Sequence, residues 1–182
     1  MNFTKKRLQR EINGKTNLKE KALTIKLEPL SKTIMDIISQ KIARKTGKKP
    51  SSCSCKDCAS MCVTACLGTP QDILRLVESG YTHRIKLTYW MVGMVLGELD
   101  FPIEMYQLEE TKDKGCSMLV NDKCTLHDAG LKPTEGYLSS SHEPAISFEK
   151  SLFWNVAKEW IEPKNKFIIS QIKKAVDDFS PF

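Results

Sequence analysis

Seven cysteines, Cys53, Cys55, Cys58, Cys62, Cys66, Cys116 and Cys124, carry the chemical potential of this 182-residue chain, and no cysteine lies outside positions 53 to 124. Thiolates are soft donors that suit zinc, Cu(I) and iron–sulfur clusters, and a zinc site closes when four of them, or three and an imidazole, meet tetrahedrally. Cys55-x2-Cys58 has the turn-sized spacing that brings two sulfurs to one ion, and Cys124-x2-His127 is a second such pair of mixed type. Cys116 stands eight residues before Cys124, across an expected hairpin. Packing alone explains an isolated buried cysteine, but not five between Cys53 and Cys66. The expected ligands are therefore Cys55, Cys58, Cys62, Cys66, Cys116, Cys124 and His127, with Cys53 least well placed because Cys53-Ser54-Cys55 crowds two thiols onto one side of an ion. His127 is preferred to His142 as nitrogen donor because it shares a turn with Cys124, whereas His142 must arrive across Ser139-Ser140-Ser141; His83 has no cysteine beside it. Seven thiols and His127 would suffice for two four-coordinate ions.

The compartment supports this reading. Met1-Asn2-Phe3-Thr4-Lys5-Lys6-Arg7 is basic but no apolar stretch follows it, so no secretory signal is expected and the chain is placed in the cytoplasm. There thiols stay reduced, and an odd, clustered set points to metal rather than to a disulfide framework. The longest nearly unbroken apolar run, Trp90 to Leu96, falls far short of the roughly 20 residues of a membrane span, so no membrane partner is expected.

The elements that must position these residues follow from periodicity. Residues 1–28 mix charges with few periodic apolar positions and read as a peripheral arm. Leu30, Ile34, Ile37, Ile38 and Ile42 then mark one face of an amphipathic helix that Gly47 and Pro50 end. Cys58, Cys62 and Cys66 are four apart, which on a helix would stack three thiols in one stripe. Thr69, Pro70 and Asp72 predict a capped helix over 70–79 with Ile73, Leu74, Leu76 and Val77 inward and Gly80 as its stop. Residues 85–96 begin with alternation and become uniformly apolar, so helix and strand stay open there; Ile103 to Leu108 reads as a strand, and Cys116–Val120 with Cys124–Leu126 as a hairpin. Phe148, Leu152, Val156, Trp160 and Ile161 line one C-terminal helix, Pro163 breaks the chain, and Ile168, Ile169, Ile172, Ala175, Val176 and Phe179 line a second that packs with it.

Cys58-x3-Cys62-x3-Cys66-x2-Thr69-Pro70-x-Asp72-Ile73, then Gly80-Tyr81, Gly115-Cys116-Ser117-Met118-Leu119 and Cys124-Thr125-Leu126-His127-x2-Gly130-Leu131-Lys132-Pro133-x-Glu135-Gly136 together resemble the YkgJ-type cysteine-cluster family, described as a zinc- or iron-chelating domain. The resemblance covers about residues 53–142. It implies a small α+β domain whose cysteines converge on a metal site, with Cys58, Cys62, Cys66, Cys116 and Cys124 at motif positions. The chain departs from the family in lacking an adjacent Cys-Cys pair and in carrying Glu135-Gly136-Tyr137 where a last cysteine is expected; His127 or His142 then supplies the missing donor, or a position stays open. The organisation expected is a basic arm and amphipathic helix over 1–50, an α+β cysteine-cluster domain with short strands and a hairpin over 51–142, and two C-terminal helices over 143–182 on the same core.

The function expected is metal chelation through two cysteine clusters, with zinc ahead of iron because mixed Cys/His closure suits zinc and the regular ferredoxin spacings are missing. Two alternatives stay open: a redox or metal-dependent enzyme with an open iron or iron–sulfur site, and a nucleic-acid or protein adaptor. The adaptor reading rests on charge. Residues 1–50 hold fourteen basic and four acidic side chains, while the remainder holds fourteen basic and eighteen acidic ones, so the net charge of +6 resides in an N-terminal segment that could meet an acidic or nucleic-acid partner. The chain has no glycine-rich phosphate loop, no His-Glu-x-x-His helix and no nucleophile elbow, and Cys55-x2-Cys58 lacks the preceding strand of a thioredoxin-like redox pair.

Overall fold

The computed structural model describes residues 37–51, 55–111, 115–121, 123–142 and 147–179. The chain divides into two compact units, 1–38 and 39–182, and every described residue except Ile37 and Ile38 belongs to the second. Its helices are α1 (37–46), α2 (Lys56–Ser60), α3 (Pro70–Glu78), α4 (Val92–Val95), α5 (Thr125–Asp128), α6 (Thr134–Leu138), α7 (Leu152–Lys158) and α8 (Lys166–Phe179). The strands pair antiparallel in three separate ribbons: β1 (Ile85–Trp90) with β2 (Ile103–Leu108), β3 (Glu110–Thr111) with β4 (Gly115–Cys116), and β5 (Leu119–Val120) with β6 (Lys123–Cys124). The fold is α+β, as the sequence predicts. Among the described residues no helix is long and apolar enough to cross a membrane.

Helix α3 organises the rest. The Asp72 amide donates to the Thr69 hydroxyl (3.2 Å), the Thr69 amide donates to the Asp72 carboxylate (2.9 Å), and Pro70 occupies the first turn, where a missing amide costs nothing. The same Asp72 oxygen accepts the Thr134 amide (2.8 Å), so one buried carboxylate caps α3 and anchors the start of α6, 62 residues away. Ile73 and Leu76 are fully buried on the inner face of α3 and Gly80, at φ +86°, ends it. Leu74 and Val77, expected inward, are only half-buried.

The ambiguous stretch 85–96 is both things in turn: Ile85–Trp90 pairs with Ile103–Leu108 in full register, and Val92–Val95 makes one helical turn. The hairpin exists but is shorter than expected. Leu119 pairs with Cys124 across a turn in which Asn121 takes a left-handed φ of 50°, a conformation asparagine tolerates. Cys116 lies instead in β4, opposite Glu110, and Leu126 is in helix α5 because Thr125 already turns its amide and hydroxyl back to the Met118 carbonyl.

Two further expectations are corrected. Ile38 and Ile42 are buried on α1 but Ile37 is 58% exposed, while Leu30, Ile34 and the arm 1–28 fall outside the described residues. The C-terminal helices do not take each other as principal partners: α7 packs on α6 and α8 packs on α3. A buried polar chain explains the second contact. Gln71 of α3 donates to Asn165 (2.8 Å), and Asn165 donates to the Glu159 carbonyl (2.7 Å) and carboxylate (3.1 Å), which Lys164 pairs at 2.9 Å. On α8 only Ile172 is buried, and Phe179 and Ile161 are exposed.

Replacing Asp72 with Ala strips acceptors from two buried amides and removes half of the reciprocal cap. Chemical denaturation should show a loss of about 2–4 kcal/mol, against almost none for Lys174→Ala at an exposed position of α8; equal small losses would show that Asp72 does not tie the two helices.

Candidate metal centre

The three cysteines spaced by four do not form a helical stripe. Helix α2 carries Cys58 and ends at Ser60; Cys62 sits in a 3-10 turn at φ −80°, ψ 18°, and Thr64 is extended. The reason lies in two carboxylates that capture backbone amides the helix would need. Glu110 accepts from the Ala65 amide (2.8 Å), Glu135 accepts from the Leu67 amide, and the Glu135 amide donates back to the Leu67 carbonyl (3.2 Å). Residues 65–69 are thereby held outside any helix, and the cysteines fall into an outer and an inner set.

The outer set is Cys55, Cys58 and His142. One donor atom from each lies within 4.8 Å of the other two, and among the described residues this is the group with that geometry. Cys55 Sγ is 3.4 Å from His142 Nε2, and Cys58 Sγ is 3.2 Å from the Ser141 hydroxyl. Around a tetrahedral zinc neighbouring donors stand about 3.5–3.8 Å apart, so small side-chain rotations bring these three onto one ion. Two soft thiolates with an imidazole also suit the chemistry of such an ion. The cluster could hold a metal ion, and it opens to solvent, with His142 exposed and Cys58 half-buried.

The histidine brought to the thiols is thus His142. His127 lies in α5, half-buried, outside the group with ligand geometry. The Ser51 amide donates to the Tyr137 carbonyl (2.9 Å), joining the approach to Cys55 to the end of α6, and the short polar run after that helix then passes beside α2. Sequence spacing could not reveal this: Cys55 and His142 are 87 positions apart, and the bond that joins their segments involves main chain, which leaves no residue signature. Cys53 lies outside the described residues.

The inner set is Cys62, Cys66, Cys116 and Cys124, drawn from the 3-10 turn, the irregular run before α3, β4 and β6, and it lies outside the group with ligand geometry. These sulfurs are close enough to feel one another's charge. Burial, followed by the Cys124 sulfur, raises the Cys62 thiol, and the Lys132 ammonium opposes this. Burial also raises Cys116, against a hydrogen bond from the Met118 amide. Cys66 is shifted furthest, well above the ordinary thiol value, first by burial and then by Glu135 and the three other sulfurs. Its Sγ rests on the bare Cα of Gly136, where an added Cβ would lie 2.7 Å away. Glu135 is itself pushed up by burial, and the Leu67 amide restrains the shift.

A thiol held above its usual value is neutral at neutral pH and unreactive, because only the thiolate attacks. In chelator-treated protein, alkylation followed residue by residue should leave Cys66 slowest at pH 7, with a rate still climbing above about pH 9, where ordinary thiols level off. A Cys66 rate that levels with that of an ordinary thiol would contradict the crowded placement.

Comparison of the chain with protein-family models, with curated proteins and with solved structures gives no match in any of the three.

Proposed function

We propose that the protein is a zinc-binding protein that chelates metal through two cysteine clusters: an exposed set of Cys55, Cys58 and His142, and the inner thiols Cys62, Cys66, Cys116 and Cys124. The observation that carries this reading is the convergence of two thiols and an imidazole from segments 87 positions apart, with all three donor atoms within 4.8 Å. An exposed histidine has no packing reason to sit on a pair of cysteines. Zinc is favoured over iron because mixed sulfur and nitrogen donors suit it and the chain lacks ferredoxin spacing. The resemblance of the motifs to the YkgJ-type family supports chelation as the shared chemistry.

Bound at the outer set, zinc would join α2 to the segment after α6, and the binding free energy would add to folding free energy. The protein's own residues supply position: Ser51 and Tyr137 hold the two segments together, and Ser141 stands beside Cys58. At the inner set, Glu110 and Glu135 fix the backbone on either side of Cys66, and Lys132 offers positive charge near Cys62 that would offset clustered thiolates.

Elemental analysis of anaerobically purified protein should find zinc, and His142→Ala should weaken retention against a competing chelator by tenfold or more, on the order of what loss of a supporting or ligating group costs. His127→Ala should leave it unchanged. Cys116→Ser and Cys124→Ser should each lower bound metal without altering retention at the outer set. Metal-free wild-type protein, or loss of metal in His127→Ala but not in His142→Ala, would overturn the reading.

A further inference from the structure

Six large apolar side chains between β1 and β2, those of Met91, Val92, Met94, Val95, Leu96 and Phe101, are exposed, Val95 by 80%. Leu87 and Tyr89 on β1 extend the same stretch and are exposed as well. Single exposed apolar residues are ordinary, but eight within fifteen positions of one segment mark a candidate interaction site.

This exposure is built into the fold. Gly93 is buried at the centre of α4, and a Cβ there would lie 2.8 Å from Leu99 and 3.1 Å from the Trp154 ring. The Gly93 carbonyl accepts the Glu98 (2.8 Å) and Leu99 (3.2 Å) amides, and Trp90 stacks on Trp154 with ring centroids 5.8 Å apart. Helix α4 is therefore seated by its smallest residue on an aromatic anchor, and that seating forces its large neighbours outward. A collapsing loop would bury its valines and methionines and leave the glycine outside.

The charge around this face selects the occupant. Residues 87–111 contain five acidic and no basic side chains, Lys86 on β1 being the exposed cation next to them, in a chain of net charge +6. Glu98, Asp100 and Glu104 are exposed, none makes an ion pair among the described residues, and Glu104 stands opposite Tyr89 in the β1–β2 register. A second copy docked by two-fold symmetry would bring like carboxylates together, and an anionic bilayer would be repelled. A partner with an apolar stripe flanked by Lys or Arg meets both the apolar centre and the acidic rim, and unbranched Met91 and Met94 adapt to its contour.

We propose that the surface formed by α4 and the exposed side of β1 docks a cationic amphipathic segment of another protein. The site is independent of the metal centre, so binding is expected with or without chelator. The full chain should be titrated into a fluorescently labelled Lys/Leu amphipathic helical peptide, with a Glu/Leu peptide of the same apolar pattern, anionic vesicles and sedimentation velocity as comparisons. Saturable binding of the Lys/Leu peptide is expected. It should weaken about tenfold or more in Val95→Asp and in the Glu98→Lys/Asp100→Lys pair, and stay unchanged in Phe167→Ser, which alters an exposed aromatic on α8. Wild-type denaturation midpoints in these surface variants would show that the fold is intact. Absence of saturable binding, equal binding of the Glu/Leu peptide, indifference to Val95→Asp, or a preference for vesicles or self-association would overturn the proposal.

Discussion

The non-helical run from Ala65 to Thr69 is the constraint on which both cysteine sets depend. Its amides and carbonyls are taken one after another by different parts of the chain: Ala65 N–H by Glu110, Leu67 N–H by Glu135, the Gly68 carbonyl by the Trp160 indole N–H (2.8 Å) and Thr69 N–H by Asp72. Hydrogen bonds to carboxylates are stronger than neutral ones, and a buried amide left without a partner is costly. The segment is consequently fixed in space. The helix before it must stop, Cys66 must face Gly136, and α3 must start at Thr69.

That constraint also shows where sequence reading succeeds. The Thr69-Pro70-x-Asp72 start was legible because capping is local: the residues that make the bonds are the residues that signal them. Strand β2 was legible because alternating burial of Ile103 and Met105 leaves a period-two pattern, even though Tyr106 and Leu108 are buried as well. The thiol stripe failed because two glutamates 45 and 68 positions from their partner amides outbid the helical bonds that four-residue spacing implies. The position of His142 is not legible in the sequence for a related reason. Its approach to Cys55 follows from the path of the chain after α6, which is fixed by the Asp72–Thr134 and Ser51–Tyr137 bonds rather than by neighbouring cysteines.

The two sets differ in electrostatic character. Burial and mutual repulsion raise Cys62, Cys66 and Cys116, so without metal these thiols stay protonated at neutral pH. A cation there must displace protons, and its affinity falls as pH falls. The outer set offers an exposed imidazole. The mixed, solvent-facing set has the geometry that could hold a metal ion among the described residues, and the more enclosed sulfurs share one another's electrostatic field.

X-ray absorption at the zinc edge of the loaded inner-set variant Cys116→Ser/Cys124→Ser addresses the outer centre alone. A mixed shell is predicted, with sulfur at about 2.3 Å and imidazole nitrogen at about 2.0–2.1 Å, and loss of the imidazole signature on His142→Ala. A shell of oxygen and nitrogen without sulfur, or an imidazole signature that survives His142→Ala, would contradict a centre built from Cys55, Cys58 and His142.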